Sequence, residues 1–354
     1  LVSDSKFSND CFGNGYTETI NYSMSSDDDV DYSEIRSALG SIGLSAALIF
    51  GATLLSQGLG FLTRVTMARY LPVDGYGNVV IGLSVLNLFG IAALAGMPAA
   101  LSRYLPRQET ENERRSILLS AFQIVGVLSV LTAALIFLTA EPLAIYVFGN
   151  ADLVWIIRIF AGILPFYALF KLSLGGFRGY ERTYPRILTQ NVLRPGLQLA
   201  GIVLFVTIGY GTTGIAFAYA SAFVVVALVG LLVLYRISEI PATDLVKRRL
   251  SKQYGDLLSF SLPLVASGAI SVIAKHSDLI ILGIYKSSTA VGVYEISFRV
   301  AMFVFFSVTP AVGFLFQPII SRYHAAESVE MMQKLYVVTT RWVVVGTFPI
   351  FALF

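Results

Sequence analysis

The chain has 354 residues, of which 56% are hydrophobic and 13% are charged, and its formal net charge is +3. Soluble domains carry roughly 25% charged residues. The mean hydropathy of +0.73 means more apolar surface than a protein core can hide, so a single soluble fold is excluded. The single cysteine, Cys11, allows no intramolecular disulfide. The two histidines, His276 and His324, lack the spacing of metal ligands, so no metal site is expected.

Nine long apolar segments predict nine membrane-spanning helices. Residues 1–41 come first; they are polar, contain the acidic run 27–31, and are predicted to form a solvated cytoplasmic tail. Each apolar run that follows is continuous and about twenty residues or longer, as helices require and as alternating barrel strands do not. The predicted spans are 42–70, 76–102, 116–140, 152–174, 186–209, 213–236, 257–284, 289–320 and 333–354.

The distribution of Lys and Arg predicts the orientation of these spans. The connections after the second, fourth, sixth and eighth spans hold fifteen of them, Lys171 and Arg178 among them, whereas the opposite connections hold almost none. Since positively charged loops stay in the cytoplasm, the even-numbered loops and the N-terminus are predicted to be cytoplasmic.

An internal repeat predicts two lobes. Tyr70 precedes a Gly-Tyr-Gly sequence at 75–77, and Tyr285, 215 residues later, precedes Gly-Val-Tyr at 292–294. Because six spans, an even number, separate the copies, both have the same orientation, which predicts two pseudosymmetric six-helix lobes around a central cavity. The predicted organisation is a first lobe at 42–236, a cytoplasmic linker at 237–256 and a partial second lobe at 257–354, which on this reading lacks about three helices.

Ionisable residues inside the spans are the candidates for function, because charge is costly in lipid and tends to face a cavity or a partner. Arg64 and Arg194 have no carboxylate within four residues and are predicted to be unpaired cations in a cavity. Arg158 and Arg341 lie near the ends of their spans, where snorkelling to the headgroups explains them as well as a function does.

The remaining charges lie in the seventh and eighth spans. Glu295 and Arg299 are spaced i,i+4, and Lys275 and Asp278 i,i+3; both spacings fit either an intrahelical ion pair or a substrate contact. An excess of buried positive charge suits an anionic substrate, since forked Arg donors fit phosphate oxygens. The predicted substrate-binding residues are therefore Arg64, Arg194, Lys275 and Arg299, and the predicted residues for coupling to H⁺ or Na⁺ are Asp278 and Glu295.

Signs of catalysis are absent from the sequence. It contains no Walker A motif, serine-hydrolase elbow or cluster of metal ligands. The predicted cytoplasmic loops, about ten to twenty residues long, are too short to form a catalytic domain. We therefore expect a protein that is not an enzyme, holds no cofactor and binds no nucleic acid.

Three segments resemble a known family. They are 58–77 (GLGFLTRVTMARYLPVDGYG), 175–183 (GGFRGYERT) and 190–195 (QNVLRP). They are similar to segments of polysaccharide-exporting oligosaccharide flippases, the Wzx-like branch of the multidrug/oligosaccharidyl-lipid/polysaccharide exporter superfamily. Arg64 matches a position where members of this family commonly place a cavity arginine.

The resemblance implies a flippase that moves lipid-linked oligosaccharides, carried on polyprenyl or dolichyl phosphate, across the plasma membrane by alternating access. Its partners would be membrane lipids and a glycosyltransferase or polymerase of the same pathway. Two other functions stay open: a cation-coupled antiporter of drugs or metabolites from the same superfamily, and a non-transporting subunit of a polysaccharide synthesis complex. The antiporter predicts acidic residues at mid-depth in the first lobe, and spans one to six contain none.

Overall fold

The computed structural model describes residues 32–238, 253–302, 320 and 328–353, and all regular structure in them is helical. The long helices are α1 (Tyr32–Tyr70), α2 (Val73–Leu94), α4 (Glu111–Leu138), α6 (Leu153–Gly179), α8 (Arg194–Ile208), α9 (Gly211–Ser238), α10 (Gln253–Tyr285), α11 (288–302) and α12 (Val329–Leu353). Three shorter ones are α3 (Met97–Tyr104), α5 (Ala140–Pro142) and α7 (Thr183–Ile187). This confirms the predicted all-α membrane fold.

Seven helical segments of the described chain are long and apolar enough to cross a bilayer, and they correspond to the first seven predicted spans. The predicted eighth span, 289–320, falls largely outside the described residues, and the predicted ninth corresponds to α12. Of the predicted tail, residues 1–31 lie outside the described residues. Helix α1 already begins at Tyr32, ten residues before the predicted start of the first span.

The predicted second span is broken rather than continuous. Helix α2 ends at Leu94, and Ala95 and Gly96 both have left-handed backbone conformations, with φ of 43° and 71°. Gly96 also lies so close to the backbone carbonyl of Ser261 that a side chain there would collide with it. Glycine tolerates the left-handed conformation and has no side chain to collide with Ser261. Helix α3 then starts with Pro98 in its first turn, where the missing backbone N–H costs nothing.

The fifth span contains a widened turn. Residues Leu188–Leu193 form a π-helical turn, in which the backbone N–H of Arg194 bonds the carbonyl of Thr189, five residues earlier. Pro195 explains this geometry, because a proline ring inside a regular helix clashes with the carbonyl four residues before it. Such turns recur at functional sites, and this one positions Arg194.

Residues from Leu48 onwards form one compact unit. Helix α6 is its centre, since it packs against α2, α3, α4 and α9. Half of the most apolar window of α6 and of α9 is buried, compared with 6% for α1 and α10. The inner helices therefore form the protein core, and the peripheral ones leave apolar surface for lipid.

The two lobes meet through equivalent glycines. A Cβ at Gly77 would collide with the backbone carbonyl of Ser288, and a Cβ at Gly292 would collide with that of Val73. The offset of 215 residues relates Gly77 to Gly292 and Val73 to Ser288, so each contact is the repeat-related copy of the other. This reciprocity is what a pseudo-twofold relation between two lobes requires. Asn150 adds a polar contact, because its Nδ2 donates to Asn78 Oδ1 (3.0 Å) and to Ser288 Oγ (2.9 Å).

Candidate functional site

A cavity of about 320 Å³ lies where the lobes face each other. Its walls come from α1, α2, α6, α8 and α9 of the first lobe and from α10 and α11 of the second. A cavity at the interface of two repeats is where transport proteins built from repeats bind their substrates. Its position fits the central cavity that the repeat predicts.

Four of the six predicted site residues line this cavity, namely Arg64, Arg194, Glu295 and Arg299. The other two, Lys275 and Asp278, do not, and their neighbours His276 and Leu279 line it instead. Because successive residues of a helix point about 100° apart, a one-residue difference moves a side chain to another face.

Lys275 and Asp278 do not form the ion pair that their i,i+3 spacing allows. Lys275 is exposed, and no salt bridge to it occurs in the described part of the chain. Asp278 accepts a 2.8 Å hydrogen bond on Oδ2 from the Tyr294 hydroxyl of α11, and its Oδ1 accepts from the backbone N–H of Leu279. Asp278 therefore connects α10 to α11 beside the cavity.

One half of the cavity wall is built around Glu295, which offsets part of the charge of two arginines. The Glu295 side chain is 1% exposed, and its Oε1 lies 2.6 Å from Arg299 Nε and 3.4 Å from Arg64 Nη1. Its Oε2 has no hydrogen-bond partner among the described residues. The Arg64 guanidinium also lies over the Tyr219 ring, 5.8 Å from its centroid. The prediction that Arg64 is unpaired is therefore wrong, because its carboxylate partner comes from the opposite lobe.

The other half of the wall presents donors without an anion. Arg194 and Gln198 follow each other at i,i+4 on α8, and both line the cavity. Arg194 Nε and Gln198 Nε2 are buried without a hydrogen-bond partner among the described residues, and Arg194 has no ion pair there. Leaving a buried donor unpaired costs roughly 1–3 kcal/mol, which an acceptor on a bound ligand would recover.

Lys171 extends this donor-rich half, and the sequence prediction missed it. The orientation count placed Lys171 among the loop charges, although the predicted fourth span, 152–174, already contained it; α6 carries it into the cavity wall. Its Nζ lies 5.5 Å from the centroid of the Tyr167 ring, and the Tyr167 hydroxyl donates to Asn87 Oδ1 at 3.1 Å. No carboxylate contacts Lys171 in the part of the chain that the structure describes. Gln198 was missed too, although its spacing from Arg194 was a readable signal.

The charges of the wall favour an anionic ligand. Among the described lining residues there are four cations, Arg64, Lys171, Arg194 and Arg299, and one carboxylate, Glu295. That carboxylate offsets one of the two charges of Arg64 and Arg299, whereas Lys171 and Arg194 have no carboxylate in contact among the described residues. No group of three metal-ligating side chains occurs within the described ranges. This excess of positive charge suits the wall to bind an oxyanion.

The comparisons with known proteins give the family and the fold. The family described as "Polysaccharide biosynthesis protein" matches residues 43–324. Stage V sporulation protein B of Bacillus subtilis (strain 168) is 23% identical over 178 residues, which are 49% of this chain and 34% of that protein. The succinoglycan biosynthesis transport protein ExoT of Rhizobium meliloti (strain 1021) is 25% identical over 251 residues, 69% of this chain and 46% of that protein. The aligned part of the chain thus spans less than half the length of either relative.

Solved structures share the fold. An inward-facing multidrug resistance MATE family transporter of the MOP superfamily superposes with a TM-score of 0.59 at 17% identity, over 85% of this chain and 69% of that chain. The MATE multidrug transporter DinF-BH gives 0.54 at 17% identity, over 87% and 71%. The match to residues 43–324 covers most of the chain, which is therefore a multi-pass membrane protein of the polysaccharide biosynthesis protein family.

Proposed function

We propose that this protein moves lipid-linked saccharides across the membrane by alternating access, binding the phosphate of the lipid carrier in the cavity between its lobes. The name of the relative ExoT, a succinoglycan biosynthesis transport protein, supports a saccharide cargo, and the family match supports a role in polysaccharide assembly. In this proposal the saccharide and phosphate pass through the cavity while the polyprenyl or dolichyl chain stays in the bilayer.

The observation that carries the proposal is the donor-rich half of the wall. Arg194 Nε and Gln198 Nε2 lack acceptors, and Lys171 lies in the same cavity without a contacting carboxylate. Phosphate oxygens accept from all three donor types, and charge-assisted hydrogen bonds to them are about twice as strong as neutral ones. Such attraction is screened less in a partly buried cavity than at an exposed surface. We therefore place the phosphate at Arg194, Gln198 and Lys171.

Glu295 is the residue that we propose for coupling to an ion, H⁺ or Na⁺. Its Oε1 contacts both Arg64 and Arg299, so a proton on this carboxylate would weaken both contacts and loosen α11 from α1. Asp278, the other predicted coupling residue, lies outside the cavity wall and accepts from Tyr294, so we give it a structural role. The proposed orientation has the N-terminus in the cytoplasm, and glycosyltransferases or a polymerase remain the proposed partners.

A cation-coupled drug antiporter is the second candidate, because the superposed structures include multidrug transporters. The charge of the cavity argues against it. An organic cation needs an available carboxylate, and the carboxylate found among the described lining residues is already shared by two arginines. The likeness to those transporters is one of fold, at 17% identity.

A flipping assay tests the proposal. Proteoliposomes would contain the protein and a fluorescent polyprenyl-diphosphate-linked saccharide, and a membrane-impermeant reductant would report the labels that reach the outer leaflet. We expect Arg194→Gln to slow flipping by about tenfold or more, the effect of losing one charged hydrogen-bond donor. The matched control is Arg341→Gln, which changes an exposed arginine of α12 away from the cavity wall. Equal rates for the wild type and a folded Arg194→Gln variant would refute the phosphate site, and no flipping by the wild type would refute transport.

A further inference from the structure

We propose that the protein binds an anionic diacyl phospholipid of the outer leaflet in a groove on the outer surface of its first lobe. The groove has a volume of about 360 Å³ and lies along α6, with walls from α4 and α9. Ile159, Gly162 and Ile163 form its floor, and Phe137 and Phe217 stand on either side. This site is separate from the proposed transport cavity and does not depend on the proposed function.

The groove and the cavity lie on different faces of the same helices. On α6 the groove contains Ile159 and Ile163, whereas the cavity contains Tyr167 and Lys171. At 3.6 residues per turn, these two pairs point about 80° apart, and Arg158 and Gly162 point further away still. On α9 the groove takes Phe217, Ser221 and Val224, and the cavity takes Tyr219 and Phe223 on nearly the opposite face. A lipid in the groove therefore contacts bulk membrane and not the cargo path.

Arg158 gives the groove a charged end. Its Nε is buried without a hydrogen-bond partner among the described residues. Its Nη2 lies 3.9 Å from Glu141 Oε2, too far for a hydrogen bond, and the Glu141 side chain is 65% exposed. The guanidinium also lies over the rings of Phe137 (5.5 Å) and Trp155 (5.4 Å). The guanidinium thus lies beside two aromatic rings, and its partly exposed Nη groups are the donors that an acceptor can reach.

The order of residues along the groove matches the order of groups in a phospholipid. Arg158 lies five residues after the start of α6, a depth of about 7.5 Å, at the end predicted to face outward. Trp155, which is 64% exposed, lies one turn closer to that end, where tryptophans of membrane proteins commonly sit at the headgroup level. Apart from Arg158 and Ser221, the residues that line the groove are apolar. A lipid whose phosphate binds Arg158 would therefore have an acyl chain along the groove floor, pointing towards the middle of the bilayer.

Gly162 keeps the groove open. A Cβ at this position would meet no atom within 4 Å, so a side chain there begins in open space and would extend into the space that we assign to the acyl chain. Gly126 of α4 is equally free of neighbours and is not part of the groove lining. The protein thus offers a variant expected to block the groove, Gly162→Leu, and a matched control, Gly126→Leu.

Native mass spectrometry of the purified protein tests this site, with phosphatidylglycerol and phosphatidylcholine of identical acyl chains as probes. We expect the wild type to retain phosphatidylglycerol about tenfold more strongly than phosphatidylcholine, as one charged hydrogen-bonded contact predicts. Arg158→Gln should remove that preference, and Arg158→Lys should restore it in part, since lysine keeps the charge without the fork. Gly162→Leu should reduce the binding of both lipids, and Gly126→Leu should leave both unchanged.

Two results would overturn the proposal. One is retention of both lipids to the same extent by the wild type, unchanged in Arg158→Gln. The other is displacement of phosphatidylglycerol from Arg158 by a lower concentration of polyprenyl phosphate, which would assign the groove to the carrier lipid instead. If Arg158→Gln does not fold, the comparison of Gly162→Leu with Gly126→Leu decides the matter alone.

Discussion

Arg64 and Arg194 are alike in sequence and different in structure. Each lies inside an apolar span without a carboxylate within four residues, and each lines the same cavity. Arg64 reaches a buried glutamate of the other lobe, whereas Arg194 has an unpaired Nε beside a second unpaired donor, Gln198. The facing helix therefore decides whether an arginine within the membrane holds the protein together or is available for a ligand.

The ion pair at Arg64 also breaks the internal symmetry of the molecule. The offset of 215 residues that relates Tyr70 to Tyr285 relates Arg64 to Leu279 and Val80 to Glu295. The repeat-related position of the ion pair is thus occupied by two apolar residues, both buried and both in the cavity wall. The glycine contacts at Gly77 and Gly292 keep the symmetry. The glycine contact between the lobes therefore occurs twice, at repeat-related positions. The ion pair between Arg64 and Glu295 has no repeat-related copy.

The largest effect is expected from removing both cations of the donor-rich half. The double variant Arg194→Gln/Lys171→Gln should bind a polyprenyl-diphosphate-linked saccharide about a hundredfold more weakly, because two charged donors are lost at roughly 1.5 kcal/mol each. The reference is a double variant at Arg341 and Lys334, two cations of α12 that do not contribute to the cavity lining. Equal weakening in both double variants would mean that overall charge, and not this half of the wall, governs binding.

The glycine contact gives the next largest effect. Gly77→Ala places a methyl group against the Ser288 carbonyl at the start of α11, and overpacking of this kind costs about 1–3 kcal/mol. Gly126→Ala is the control: it meets no neighbour, and alanine favours a helix over glycine by up to about 1 kcal/mol. Thermal unfolding in detergent should show a lower midpoint for Gly77→Ala and an equal or higher one for Gly126→Ala. Unchanged midpoints in both would show that the lobes do not pack this tightly.

Neutralising Glu295 tests the paired half of the cavity. In Glu295→Gln, Arg64 and Arg299 lose the carboxylate that they share and become available to an anion. We expect the affinity for the anionic saccharide carrier to rise about fivefold, an effect of roughly 1 kcal/mol. Unfolding midpoints would identify loss of structure, and a weaker affinity in a folded variant would mean that Glu295 itself contacts the cargo.

The smallest effect concerns Asn150, which holds the start of α11 against the first lobe. Asn150→Ala removes the hydrogen bonds to Asn78 and Ser288, and we expect a loss of about 1 kcal/mol in stability, seen as a small decrease in the unfolding midpoint. Cargo binding at Arg194 should not change, because Asn150 lies outside the cavity lining. A drop in cargo affinity with an unchanged unfolding midpoint would show that this contact between the lobes and the donor-rich half of the cavity wall are not independent.

Hydropathy predicted the fold well, because a bilayer requires long apolar helices that are visible in the sequence. The repeat at Tyr70 and Tyr285 predicted the two lobes, whose reciprocal glycine contacts the structure reveals. The break after Leu94 was not predicted, because it depends on a tertiary contact between Gly96 and Ser261. Hydropathy averaged along the sequence contains no information about such a contact.

Side-chain partners were the least predictable feature. The i,i+4 pair of Glu295 and Arg299 was foreseen as one of two alternatives, an intrahelical ion pair or a substrate contact, because both residues lie on one helix. The contact between Arg64 and Glu295 was not, because it joins two lobes and no local spacing encodes it. Lys171 was counted among the loop charges for the orientation rule, although the predicted span 152–174 contained it and α6 continues two turns beyond it. The end of a helix therefore has to be established before a cation near it is counted as a loop charge and used to predict orientation.

The most direct measurement compares the two arginines themselves. The affinity of a polyprenyl-diphosphate-linked saccharide would be determined by isothermal titration calorimetry for the wild type, Arg194→Gln and Arg64→Gln in the same detergent. We predict a loss of about tenfold or more for Arg194→Gln and less than about threefold for Arg64→Gln, because one arginine has a free donor and the other is already paired. Equal losses, or a larger loss at Arg64, would contradict the assignment of the phosphate to the donor-rich half of the cavity.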